Sequence, residues 1–191
     1  MRKGRFLAVV GPSGSGKDTI IDACCKQLSN IKRVKRYVTR EQQRAGGEDS
    51  YNITLDAFQK LEIDGGFAFS WSAHGLKYGL PITIFDEIEA GKTLIANISR
   101  SILDQLSDKF EYYEVILITA SDKVLAERLE KRGRESKTQI EARLARSSFT
   151  IPNGISPLII RNETTVEDAV SKIITSISVS YTHLTLPTTE A

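Results

Sequence analysis

Gly11-Pro12-Ser13-Gly14-Ser15-Gly16-Lys17-Asp18-Thr19 is the stretch that decides how this chain folds. Its first seven residues fit the phosphate-cradling pattern G-x-x-x-x-G-K, with Asp18 where a Ser or Thr usually follows the lysine. The run before it, Phe6-Leu7-Ala8-Val9-Val10, is continuously apolar, as a parallel strand covered on both faces must be. After it, Ile20, Ile21, Cys24 and Leu28 recur at helical spacing. Strand, glycine loop and helix start therefore stand in the order a nucleotide phosphate site needs. Backbone N–H groups converge on the anion there, the helix N-terminus adds partial positive charge, and Lys17 reaches the transferable phosphate. A Gly/Ser turn that merely joins a strand to a helix would need neither the lysine nor this glycine spacing. At position 18 a hydroxyl normally sits on Mg²⁺, so here the Asp18 carboxylate or the Thr19 hydroxyl must help to hold the ion. The sequence leaves that choice open.

At 191 residues the chain is expected to form one domain with a real core. Its 26 basic and 24 acidic residues nearly balance, so bulk charge demands neither a nucleic acid nor a membrane partner. The two cysteines, Cys24 and Cys25, are adjacent on the expected helix and cannot form a disulfide framework, which suits the cytoplasm. Arg2, Lys3 and Arg5 precede an apolar run too short for a signal peptide, and no stretch is long enough to span a membrane.

Beyond the first helix, 34–40 is expected as a strand running into a polar loop, with Arg36, Arg40 and Arg44 four residues apart around its end. One such arginine is most simply a solvated charge; three beside a phosphate loop suggest a grip on a second anionic group. Thr54 should cap a helix over 55–63 whose Phe58 and Leu61 point inward. Phe67, Phe69 and Trp71 alternate as in a strand with one packed face, and His74-Gly75 reads as a turn rather than a metal site. Tyr78 is either a packing residue or a phenol that donates to a substrate phosphate. An acidic helix over 82–90, a strand over 93–98, a helix from Arg100 to about Leu106, a strand over 113–118 and a helix capped by Ser121 complete an alternating, doubly wound α/β pattern.

The second informative stretch places Arg128, Arg132, Arg134, Arg143 and Arg146 around Gly133, with Ser136 and Gln139 as a capping box. Glu–Arg pairs on a solvated hairpin are the plain reading and contribute little. A mobile arginine-bearing lid over about 128–146 fits better beside Lys17, because phosphoryl transfer needs cations around the migrating group and exclusion of water. A last strand at 158–160, a loop at Arg161-Asn162-Glu163 and a helix over 165–177 close the fold. Residues 178–191, rich in threonine, are expected to be a non-native or disordered tail, the alternative being an edge strand over 181–186.

With the loop, RYVTR (36–40), GGEDSYN (46–52), SWSAHGLKYG (70–79) and RLEKRGRE (128–135) in view, the chain resembles the guanylate kinase-like family over about residues 5–177. Within it, the Gly-Lys-Asp loop, Asn97-Ile98-Ser99-Arg100 and RGRES followed by EARLAR are most similar to the branch that acts on ribose 1,5-bisphosphate in phosphonate breakdown. The resemblance implies a P-loop three-layer α/β fold of the guanylate or nucleoside monophosphate kinase type. A core over 5–35 and 82–177 would carry an acceptor-binding insertion over about 36–81. It also implies ATP–Mg²⁺ on residues 11–19, Lys17, Arg128, Arg132 and Arg143 as catalytic residues, and Arg36, Arg40, Arg44, Tyr78 and Arg100 around the acceptor.

The departures from guanylate kinases bear on the acceptor. Those enzymes carry an acid where this chain has Ser70, and an acid–x–acid pattern where it has Asn97 and Ser99. A neutral side chain supplies no charged acceptor to guanine N–H groups, so the pocket keeps the phosphate grip and drops base recognition. Transfer from ATP to an ionised sugar phosphate is therefore expected, giving 5-phosphoribosyl 1-diphosphate. The rival readings are a kinase for GMP or another nucleoside monophosphate, and a non-catalytic guanylate kinase-like binding module.

Overall fold

This computed structural model describes residues 4–40, 49–133, 140 and 151–183, with Arg132 and 178–183 described as backbone alone. The expected central strand, β1 (Arg5–Val10), is buried at every position. It lies in the middle of a five-stranded parallel sheet with β2 (Ile31–Arg33) and β7 (Thr93–Asn97) on one side, and β8 (Tyr113–Thr119) and β9 (Leu158–Arg161) on the other, in the order β2-β7-β1-β8-β9. The continuous apolar sequence of β1 follows from this placement, because alternate residues enter two separate cores. Leu7 and Val9 pack with Ile20, Ile21 and Cys24 of α1 (Lys17–Gln27) and with Val170, Ile173 and Ile177 of α6 (Val166–His183). Phe6, Ala8 and Val10 face the other way, onto Ile102, Leu103, Leu106 and Phe110.

The second core also holds an additional sheet of four strands in the order β4-β3-β6-β5, made of β3 (Arg36–Val38), β4 (Ser50–Asn52), β5 (Phe67–Ala73) and β6 (Leu76–Pro81). Val38, Phe69, Trp71 and Leu80 of this sheet share the cluster with Phe6 and Val10, so one apolar body joins the two sheets. Helix α2 (Leu55–Ile63) lies between β4 and β5 in sequence; Thr54 Oγ1 accepts from the Ala57 N–H at 3.2 Å, as its sequence predicts, and Phe58 is fully buried. His74 (φ 54°) and Gly75 (φ 74°) form the tight β5–β6 turn, both in the left-handed region that such a hairpin requires.

Several expected boundaries move. The strand expected over 34–40 shortens to β3 at 36–38, and β2, which no expectation covered, precedes it in the other sheet: β2 ends at Arg33, and the Val34 N–H donates to the Ile95 carbonyl before the chain crosses to β3. The acidic helix is shorter, α3 (Ile84–Glu89), and the segment after Ser99 begins as a 3₁₀-helix (Arg100–Gln105) before one turn of α4 (Leu106–Lys109). Ser121 precedes α5 (Asp122–Arg132) but its side chain makes no capping bond; its backbone N–H donates to the Glu163 carboxylate instead. Arg161 belongs to β9 rather than to the loop. Helix α6 continues past Ile177 to His183, since Ser178-Val179-Ser180-Tyr181-Thr182-His183 contains neither Gly nor Pro. The alternative strand is thereby overturned at 181–183, and 184–191 lie outside the described residues. Among the described residues no helix is long and apolar enough to cross a membrane.

Phe6 is fully buried and stacks on Phe110 with ring centroids 4.6 Å apart, where the strand meets the second core. Phe6→Ala should lower stability by about 3–5 kcal/mol. Urea denaturation checks this as a drop in midpoint with an unchanged slope.

Candidate functional site

In an open parallel sheet, ligands bind beyond the carboxyl ends of the strands where the strand order reverses. Here the reversal is at β1, and the pairing register fixes what stands around its end. Val9 pairs with Asn97 of β7, and Val10 with Leu117 of β8. Gly11 follows at φ 149°, so close to β8 that a Cβ there would lie 2.0 Å from the Ile118 carbonyl oxygen. Gly16 has φ 89° and stands at the N-cap of α1, where a Cβ would meet Asn162 Nδ2 at 2.5 Å. The loop spacing seen in the sequence is therefore a packing requirement at both ends.

The loop curls around its own lysine. Lys17 Nζ donates to the Gly11 and Pro12 carbonyls, each at 2.9 Å, which holds the ammonium over the loop at the start of α1. Ser15 is fully buried, and its Oγ has no hydrogen-bond partner. Asp18, the unusual residue, is held from two directions. Arg33 Nη2 is 2.7 Å from its Oδ1, and Asn97 Nδ2 donates to its Oδ2 at 3.1 Å. Arg33 also pairs with Asp22, one turn along α1, and these two carboxylates hold the guanidinium in its charged form against the cost of burial. Thr19 is exposed and faces a different way.

Thr19 lines a cleft of about 330 Å³ together with Gly14, Gly16, Arg128, Lys131, Asn162, Thr164 and Val166. Asn162, which follows β9 and is buried, ties the cleft together: its Nδ2 donates to the Ser15 carbonyl at 2.8 Å, and its own carbonyl accepts from Arg128 Nη2 at 3.0 Å. Arg128 Nη1 is buried without a partner beside that cleft. A pocket that combines an unmatched guanidinium donor, a helix N-terminus and backbone N–H groups is suited to a polar, anionic ligand. Among the described residues no group of three His, Cys, Asp or Glu is arranged to hold a metal by itself.

The expected acceptor residues divide. Arg36, the first residue of β3, is 8% exposed; its Nη1 donates to the Asn97 carbonyl at 3.1 Å, and its guanidinium lies 5.5 Å from the centre of the Tyr78 ring. Tyr78 in turn stacks on Trp71 at 5.6 Å. Those two residues therefore meet at the seam between the sheets. Arg40 follows β3, two residues past Val38, and Arg100 follows β7 as an exposed residue opening the 3₁₀-helix. Arg44 and Arg143 lie outside the described residues, as do Arg134, Ser136, Gln139 and Arg146 and the side chain of Arg132. Sequence reasoning missed Asn162, read only as part of a loop, and Arg33, which no motif marks. Asn162 could have been found from its place immediately beyond the last strand.

Ser70 Oγ donates to Glu62 Oε1 at 2.6 Å, and Lys77 Nζ is 3.0 Å from Glu62 Oε2. These contacts, the serine bond first, hold the Glu62 carboxyl below its usual range. The neutral residue of β5 therefore faces a carboxylate that is already doubly engaged.

The family profile for guanylate kinase matches residues 3–179. A ribose 1,5-bisphosphate phosphokinase of Agrobacterium fabrum is 42% identical over 172 residues, covering 88% of this chain and 93% of that protein. Another ribose 1,5-bisphosphate phosphokinase, of Brucella melitensis biotype 2, is 48% identical over 147 residues, 75% of this chain and 76% of that one. Among solved structures, the guanylate kinase of Anaplasma phagocytophilum superposes with a TM-score of 0.69 at 18% identity, covering 94% of this chain and 87% of that one. At that identity the likeness concerns the fold.

Asn162→Ala should cost about 1–3 kcal/mol, because it leaves the buried Ser15 carbonyl without its donor. Thermal unfolding measures the loss. Nucleotide titration of the folded variant should show weaker ATP binding, since the loop loses its brace to the cleft.

Proposed function

The chain belongs to the guanylate kinase family, and we propose that it transfers the γ-phosphoryl group of ATP to ribose 1,5-bisphosphate, giving 5-phosphoribosyl 1-diphosphate and ADP. The observation that carries this choice of acceptor is the likeness to two ribose 1,5-bisphosphate phosphokinases along most of the chain. The site agrees with it. Asn97 donates to Asp18 and Ser70 donates to Glu62, and neither of these two neutral side chains offers guanine N–H groups a charged acceptor of its own.

The chemistry asks little beyond placement and charge. An oxygen of the C1 phosphate is already ionised, so no general base is needed. It forms a bond to the γ-phosphorus as the bond from that phosphorus to the β–γ bridging oxygen breaks, and ADP leaves with the electron pair. Two anions must approach each other, and cations dominate the requirement. Lys17 at the head of α1 is assigned to the β- and γ-phosphates, and the cleft lined by Thr19, Arg128 and Asn162 to the nucleotide. Arg36, Arg40, Arg44, Arg100 and Tyr78 are assigned to the acceptor phosphates, and Arg132 and Arg143 to closure over ATP. Mg²⁺, which takes hard oxygen ligands, suits the oxygen donors offered by Asp18 and Thr19, and when bound it neutralises charge on the β- and γ-phosphates. A cytoplasmic setting fits an ATP-consuming enzyme whose Cys24 and Cys25 are free thiols, that of Cys24 pushed up to about 12 by burial and by Cys25 beside it.

Steady-state ADP release from Mg–ATP with ribose 1,5-bisphosphate, GMP, AMP or no acceptor tests the assignment. Turnover is expected with the sugar bisphosphate alone, and Lys17→Ala should reduce kcat by about a hundredfold or more. A GMP rate equal to that with the sugar bisphosphate would overturn the choice of acceptor. Failure to bind Mg–ATP in calorimetry would point to a non-catalytic module.

A further inference from the structure

P-loop enzymes hold their metal between two protein groups, a hydroxyl directly after the loop lysine and an acid on a neighbouring strand. In this chain the acid stands directly after the lysine, and an amide stands on the strand. The residue after Lys17 is Asp18, and the residue facing it from the end of β7 is Asn97, 3.1 Å from Nδ2 to Oδ2. The register explains why these two meet: Asn97 pairs with Val9, so it stands level with the last turn of backbone before the loop. A second acid at position 97 would set two carboxylates at hydrogen-bonding distance, which like charges oppose. Either arrangement leaves one carboxylate and one neutral oxygen- or nitrogen-bearing partner.

From this geometry we propose that Asp18, rather than Thr19, is the metal-side ligand group of the site, and that Arg33 and Asn97 are its positioning residues. This rests on the kinase reading but not on the identity of the acceptor. Thr19 lies in the wall of the nucleotide cleft with Asn162 and Thr164, whereas Asp18 is held by Arg33 and Asn97. Arg33, with 12% of its side chain exposed, comes from the last residue of β2 and grips Asp18 and Asp22 together. Two carboxylates around one guanidinium leave a net charge of about −1, so the pairing orients Asp18 without cancelling its attraction for a cation. Asn97 fixes the other carboxylate oxygen. The fully buried Ser15 Oγ, unpartnered inside the same loop, is an independent mark that the loop is built around a ligand. Outer partners of this kind set the orientation, and hence the strength, of a metal-binding group.

The same Asn97 contributes its backbone carbonyl to Arg36 of the second sheet. One residue thus touches both the carboxylate beside Lys17 and the arginine at the foot of the acceptor sheet. The metal-side group and the acceptor sheet share a single anchoring point.

The test is the ratio of ATP dissociation constants without and with Mg²⁺, measured by calorimetry with no acceptor present, so a wrong acceptor assignment would leave the result intact. Asp18→Asn and Arg33→Gln should each reduce that ratio by about tenfold or more. The double variant Asp18→Ser with Asn97→Asp, which returns the carboxylate to the strand, should recover most of what Asp18→Ser alone loses. Mn²⁺ electron paramagnetic resonance of the ATP complexes gives the same ranking by a separate readout, and melting temperatures confirm that each variant is folded. An Asp18→Asn protein whose ratio matches the parent, or a Thr19→Val protein that loses the metal dependence instead, would overturn the proposal. A double variant no better than Asp18→Ser alone would overturn the exchange of roles.

Discussion

Everything at this site depends on the close approach of β1 to β8 at the point where the strand becomes a loop. Gly11 sits against the Ile118 carbonyl with no room for a side chain, and that contact fixes where the loop leaves the sheet. From there the backbone turns around Lys17, and α1 starts with its N-terminus aimed across the strand ends. Burial of β1 on both faces anchors the arrangement: helices α1 and α6 cover one side, and the second core covers the other. A strand free on one face could slip by a residue; one held in two cores and between two parallel neighbours cannot do so without exposing a whole apolar row.

The second sheet is tied to this frame by packing and by one polar seam. Its apolar residues enter the same cluster as Phe6 and Val10, while Arg36 brings a guanidinium to the Asn97 carbonyl and the face of Tyr78. A buried arginine on a backbone carbonyl and an aromatic ring is held by position as much as by charge. The seam therefore has a structural function. On the nucleotide side Asn162 has the matching task, linking the loop, the end of β9 and Arg128.

The sequence made the phosphate loop legible because each of its features has a local cause: apolar strand, glycines at strained positions, lysine, helix start. Parallel strands were legible for the same reason. The second sheet was harder, because β2 and β3 follow each other through Val34-Lys35 in a largely basic stretch with no Gly or Pro between them, and only the register shows that they belong to different sheets. The end of α6 is not legible from composition, because the threonine-rich tail hides that Ser178 to His183 carries no Gly or Pro to stop the helix. Asn162 and Arg33 were invisible for a different reason. Each acts through partners far away in the chain, Ser15 for one and Asp18 for the other, and long-range pairing leaves no spacing to read.

The account turns on which phosphate receives the transferred group. A site with a cradle for ATP and arginines near a second sheet, whose Ser70 and Asn97 are neutral, should extend a sugar phosphate into a diphosphate. Phosphorus-31 NMR of the product formed from Mg–ATP and ribose 1,5-bisphosphate tests this most directly. The account predicts a pair of mutually coupled diphosphate signals from C1, with the C5 phosphate left as a monoester. An unchanged bisphosphate spectrum beside ready conversion of GMP to GDP would contradict it.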